Sequence, residues 1–187
     1  LFPYTTLFRS NLDLQSALAF AQAIAPLNLS WLEEPLRVDA PEADWQALAR
    51  ASSTPLAGGE NFHGQQFDQA LSSAILQVIQ PDITKWGGVS GNASVAHRAV
   101  AAHKRYCPHY FGGGISLLAS LHVLAAVGGE GLLEFDAHPN LGREAVVGDL
   151  LPVKDGSVPV PTGPGLGAVP DLGKLAQYQT WSGHIHA

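Results

Sequence analysis

The chain has 187 residues, 46% of them hydrophobic, which suffices for one well-packed domain. Its formal net charge of −6 argues against a general nucleic-acid footprint, and no apolar run approaches the roughly 18 residues of a membrane span. The single cysteine, Cys107, excludes an intrachain disulfide and is compatible with a reducing cytoplasm.

The first ten residues, LFPYTTLFRS, have no helical or strand period and no cap, and the texture changes abruptly at Asn11. The decapeptide resembles the conceptual translation of a sequencing-library adapter. Residues 1–10 are therefore read as a non-native scar, and the natural protein is expected to extend further upstream. The absence of any methionine agrees with that expectation.

From Leu12 to Pro26 the run LDLQSALAFAQAIAP sets Leu14, Ala17, Leu18, Ala21 and Ile24 on one helical face, and Pro26 stops it. LNLSWLEEP follows as a strand. Asp39 is the expected cap of the next helix, with Pro41 early and Glu42 three residues after the cap. TPLAGGE reads as a strand in which Gly58 and Gly59 permit close backbone approach. A helix over about 65–73 leads to the strand AILQVIQPD, and another over about 90–103 leads to KRYCPHY. Gly112 to Gly114 precede the helix ISLLASLHVLAAV, and GLLEFD reads as the last strand. After Asp136 the texture turns to glycine and proline, an irregular arm with a short hairpin around Lys154-Asp155-Gly156.

Strands alternating with helices of this length predict parallel β/α units. Five strands end in polar residues: Glu33, Glu60, Asp82, His109 and Glu134. A closed α/β barrel gathers such ends at one face, where its loops build a site. Carboxylates and a histidine converging there suit metal-assisted acid/base chemistry. Each residue also has a plainer reading. Strand alternation sends Glu33 and Glu34 to opposite faces, and the residue types do not say which points inward. Glu60 after two glycines is also placed to cap a helix, Asp82 after Pro81 to form a turn, and His109 to sit satisfied in a core. Lys85 reads as a loop charge or as a contact one step behind the site, His63 as a residue of the mouth, and His184 and His186 as part of a loose tail.

The ordered set WLEEPL, GGEN, QPDITKWGGVSG, PHYFGGG, LEFD and the closing PGLGAVPDL resembles the mandelate racemase branch of the enolase superfamily, the mandelate racemase/muconate lactonizing enzyme family. The resemblance runs from Asn11 to Leu175. It implies the C-terminal portion of a (β/α)7β enolase-type TIM barrel over 11–137, and an arm over 138–187 that returns to a capping domain. It also implies that Glu33 and Glu60 are ligands of Mg2+, that Asp82 and His109 form a hydrogen-bonded catalytic dyad, and that Glu134 is catalytic from the eighth strand. The expected activity is abstraction of the proton α to a carboxylate, with sugar-acid dehydration through an enediolate as the first choice. Racemisation or epimerisation of a hydroxy acid is the alternative. A homo-oligomeric, cytoplasmic parent acting on a small hydroxy acid or sugar acid is expected, with no nucleic-acid or membrane partner.

The chain departs from the family pattern in its first part. The capping domain, the base motif of the second strand and the aspartate ligand of the third have no counterpart here. Counting back from Glu33 puts that aspartate near Leu7. A barrel lacking its early strands leaves edges and apolar helix faces open to water. The chain alone is therefore expected to be marginally stable and inactive. A reading of a different kind is a non-catalytic barrel remnant serving binding or assembly.

Overall fold

A computed structural model describes residues 12–181 and residue 183. The decapeptide 1–10 with Leu7, and the tail histidines His184 and His186, lie outside the described residues.

Helix α1 (Leu14–Ile24) starts where the Asp13 carboxylate accepts the Ser16 N–H at 2.8 Å, satisfying a donor that the first helical turn leaves free. Its buried residues Ala17, Ala21 and Ile24 fall on one face. Pro26 ends the α-helix inside a single 3-10 turn, closed by Asn28 at φ 49°. Helix α2 (Glu42–Ala51) corrects the expected capping. Pro41 occupies the N-cap and no side chain caps the helix. The helix starts too late for Asp39 to reach its free N–H groups, and Asp39 instead accepts from Arg37 Nε and Nη2, each at 2.8 Å.

Strands β1 (Leu32–Glu33), β2 (Leu56–Gly58), β3 (Val78–Ile79) and β4 (Arg105–Tyr106) form one parallel sheet in that order. The named ladders are short, but backbone bonds such as Glu34 N to Ala57 O at 3.0 Å and Cys107 N to Ile79 O at 3.0 Å lengthen them. A further parallel bridge joins Asp82 to His109 beyond β3 and β4. Helices α3 (Gln65–Ser72), α4 (Gly88–Ala101) and α5 (Gly114–Val127) complete the β/α alternation.

Strand alternation separates two layers. Leu32, Leu56, Ile79 and Tyr106 pack with the helices in the main core. Their neighbours Trp31, Ala57, Val78 and Cys107 form a separate buried cluster on the other face, the inner layer of the barrel wall. Lys104, just before β4, ties the helical layer to the sheet. Its ammonium donates to Ala70 O, Ser73 O and Leu76 O at 2.8, 2.6 and 2.6 Å, capping the end of α3 and the entry to β3.

The segment GLLEFD, expected as the last strand, carries no strand ladder. Leu132 N donates to Cys107 Sγ at 3.3 Å, so the thiol stands where a carbonyl would have paired. The approach is nevertheless close: a Cβ at Gly131 would collide with Tyr106 O. The arm beyond it holds a helix that composition concealed, α6 (Leu141–Val147). Asn140 Oδ1 accepts from Arg143 N at 3.0 Å while Glu144 Oε1 accepts from Asn140 N at 3.1 Å, a reciprocal cap. The helix packs on α5 at Gly114, where a Cβ would come within 2.6 Å of Val146 Cβ. The hairpin at Lys154-Asp155-Gly156 is present: Lys154 and Ser157 exchange two backbone bonds of 2.9 Å across residues of positive φ. Among the described residues, no helix is long and apolar enough to cross a membrane.

Candidate active site

Glu33, Glu60, Asp82 and His109 are all buried at the C-terminal ends of the four strands. Polar side chains in such a position must find partners, and those partners define the site.

On β1, alternation places Glu33 on the inner face with Trp31, and sends Glu34 to the other side. Glu33 Oε2 accepts from Gln80 Nε2 at 2.7 Å and from Trp31 Nε1 at 3.3 Å. Glu34 adopts φ 37°, and its Oε1 lies 3.5 Å from Gly59 N. The ambiguity between the paired glutamates is thereby resolved in favour of Glu33 facing the inner layer.

On β2 the alternation is broken on purpose. Ala57 belongs to the inner layer, so strict period two would turn Glu60 toward the helices. Gly59 takes φ 127°, a conformation that residues with a Cβ rarely adopt, and the chain turns there. Glu60 then reaches the inner side, where its Oε2 lies 2.6 Å from His109 Nε2. Its Oε1 lies 3.2 Å from Lys85 Nζ and accepts from Asn61 Nδ2 at 2.8 Å.

Asp82 and His109 come together across the extended β3–β4 pairing, with Oδ2 2.8 Å from Nδ1. Thr84 holds the other oxygen, Oδ1, through its N–H at 2.8 Å and its hydroxyl at 2.6 Å. Burial pushes the Asp82 carboxyl up, but the hydrogen bonds from His109 and Thr84 outweigh it and hold it at about 2. The imidazole thus has a carboxylate at each nitrogen. Both contacts are satisfied as hydrogen bonds only when the ring carries two protons or one carboxyl carries one.

Glu134 approaches from the segment without a ladder. Its Oε2 accepts from Tyr110 N at 2.7 Å, one residue past His109. Burial raises its pKa above the ordinary carboxylate value; the Tyr110 N–H and His109 pull it down, while the charges of Glu33 and Asp82 add to the rise. A carboxyl so placed tends to hold its proton.

Gln80, Thr84 and Trp31 were not singled out in the sequence, although two carried signals. Gln80 stands two residues before Asp82, hence on the same strand face. Thr84 two residues after an aspartate is a familiar turn partner. His63 is exposed, and its N–H bonds Gln66 Oε1 at 2.8 Å, so it does not join the cluster. Lys85 does join it, through Glu60.

Among the described residues no group of three His, Cys, Asp or Glu side chains is arranged to hold a metal ion. Glu33 and Glu60 still offer the hard anionic oxygens that such a cation prefers, and Glu33 Oε1 takes no hydrogen bond among the described residues. The donor chemistry fits as part of a shell. Residues 1–11 contribute no aspartate or glutamate to it.

Known proteins share this arrangement of elements. The family model described as enolase C-terminal domain-like matches residues 8–174. The chain is 33% identical over 173 residues to D-galactarolactone cycloisomerase of Agrobacterium fabrum, covering 87% of this chain and 45% of that protein. It is 27% identical over 166 residues to arabinonate dehydratase of Saccharolobus solfataricus, covering 88% and 44%. A solved structure of a mandelate racemase/muconate lactonizing enzyme from Bordetella bronchiseptica RB50 superposes with a TM-score of 0.81 at 48% identity, over 89% of this chain and 47% of that one. The chain spans less than half the length of the curated relatives described here.

Proposed function

Because the chain belongs to the enolase C-terminal domain-like family, we propose that it forms the catalytic-base side of a magnesium-dependent enzyme that removes the proton α to a carboxylate of a sugar acid. The observation that carries this reading is His109 held at Nδ1 by Asp82, 2.8 Å away, at the strand ends that also bear Glu33 and Glu60. With Nδ1 engaged, Nε2 is the atom that takes and returns a proton. Glu60 Oε2 competes for that nitrogen in the present arrangement, so proton abstraction requires Nε2 to exchange Glu60 for the substrate C–H.

Glu33 and Glu60 would hold the metal. When bound, magnesium supplies the concentrated positive charge that lowers the energy of an enediolate. Glu134, buried and raised in pKa, would keep its proton and donate it as a hydrogen bond to an enediolate oxygen. Its Oε2 is fixed by Tyr110 N, which leaves Oε1 to carry the proton.

Dehydration completes the proposed reaction: the α-carbon loses its proton to His109 Nε2, the β-hydroxyl takes that proton back from His109 as its C–O bond breaks and leaves as water, and the enol product becomes a keto acid. Arabinonate dehydratase among the relatives supports this outcome. Isomerisation through the same enediolate, without loss of water, is the second reading. It is favoured by the higher identity to the cycloisomerase, 33% against 27%. The chain alone is expected to show no turnover, because among the described residues only Glu33 and Glu60 are read as carboxylates of the metal shell.

The reading is tested by joining residues 11–187 to the N-terminal half of the 48% identical Bordetella relative and supplying magnesium and a panel of sugar acids in D2O. Exchange of the α-proton for deuterium, lost in His109→Asn, is the expected result, and keto-acid formation separates dehydration from isomerisation. A folded chimera that exchanges no α-proton on any acid would favour a non-catalytic binding or assembly module.

A further inference from the structure

Gln80 is 2% exposed and has no task in the chemistry described so far. It stands between Val78 and Asp82 on one strand face, above the apolar inner layer and below the dyad. Its backbone is fixed: the N–H donates to Gly58 O at 2.9 Å, and Gly59 packs so closely that a Cβ there would lie 3.4 Å from Gln80 N.

The neighbouring carboxylate dictates how the amide is turned. An ionised Glu33 only accepts hydrogen bonds, so the NH2 end of Gln80 must face it, and Nε2 donates to Oε2 at 2.7 Å. Trp31 Nε1 donates to that same oxygen at 3.3 Å. Oε2 is therefore occupied twice by the protein, while Oε1 takes no hydrogen bond among the described residues.

Turning the amide this way strands its other end. Gln80 Oε1 is buried and has no hydrogen-bond partner among the described residues. An orphaned amide oxygen is unfavourable, and an apolar side chain of similar volume would fill the space without it. Packing alone does not account for a glutamine here; the orientation of Glu33 does.

The geometry points to Gln80 as a positioning residue for Glu33, one that locks Oε2 and presents Oε1 to a divalent cation. The inference rests on the reading of Glu33 as a metal-side ligand. Partners of this kind, one step behind a ligand, typically change metal affinity by roughly ten- to hundredfold when removed.

The test titrates Mn2+ into the complete chain and its variants, following the loss of the free-ion EPR signal, with circular dichroism to verify folding. Expected is binding by the wild type, loss in Glu33→Gln, and weakening by roughly ten- to hundredfold in both Gln80→Met and Gln80→Asn. The asparagine keeps the amide but withdraws it by one methylene, and it decides the matter should the methionine variant fail to fold. Equal affinity in wild type and the folded Gln80 variants overturns the positioning role alone. A wild type that binds no Mn2+, or one matched by Glu33→Gln, overturns the metal-side reading of Glu33 and the inference with it.

Discussion

His109 reaches Glu60 across an intervening strand: its Nε2 lies 2.6 Å from Glu60 Oε2, although β2 and β4 flank β3 and share no backbone bonds in the sheet. A residue implied as a metal ligand and one implied as a base are in direct contact. Such a buried contact makes their contributions to stability interdependent. In a cycle of Glu60→Gln, His109→Asn and the double variant, the two changes should be non-additive by about 1–3 kcal/mol. Urea unfolding of the four chains measures it, and additive effects would mean the pair does not interact in solution.

The acid limb of stability should report Asp82. Its carboxyl is held at about 2, below the ordinary 3.8, so the ionised form favours the folded state. The stabilisation is fully present above about pH 4, and is lost as pH falls through about 2. Its size is on the order of 2 kcal/mol. Asp82→Asn should flatten the stability curve across that window; an unchanged slope between wild type and variant counts against the dyad.

Glu134 should behave with the opposite sign. Burial raises its folded pKa, so its contribution is complete below the ordinary carboxylate value of 4.5 and declines as pH rises through the folded value. Glu134→Gln keeps an acceptor for Tyr110 N and removes the titrating carboxyl. The variant should unfold at higher urea than wild type at pH 7.5 and at the same urea near pH 3.5. Equal midpoints at both values would show that the carboxyl is not strained by its surroundings.

Lys104 should matter more than its place at a strand entry suggests. Three carbonyls depend on its ammonium, from Ala70, Ser73 and Leu76. Lys104→Met leaves them without that donor and should destabilise the chain by about 2 kcal/mol, with hydrogen exchange rising first at the end of α3. Uniform exchange with no local focus would argue against a capping role.

The strand-end residues were legible because a parallel β/α unit advertises itself: an apolar run, a polar terminus, then a helical period. Glu33, Glu60, Asp82 and His109 could be placed at one end of a sheet on that basis. Their contacts could not, because the approach of His109 to Glu60 depends on the turn at Gly59. Asp39 misled because its capping pattern was sound, while Pro41 delays the helix beyond its reach. GLLEFD has strand composition, but a strand is defined by its neighbours, and here the Cys107 thiol replaces a backbone partner. Helix α6 was hidden by the glycines and prolines around it, although Asn140 and Glu144 carried its cap. Gln80 passed as one more core-strand residue because nothing local shows that Glu33 lies opposite.

A strand keeps parity: every second residue looks the same way, and no side chain can alter that count. At Gly59 the count is shifted by the backbone alone. Glu60 therefore owes its direction to a neighbour that has no side chain. A β-branched residue at position 59 would not merely strain the turn; it would favour restoring the regular count and sending an intact glutamate to the wrong side of the wall. Inheritance of such a site is thus a matter of phase as much as of residue identity, and a sequence that retains every acid but loses this glycine would no longer encode the same centre.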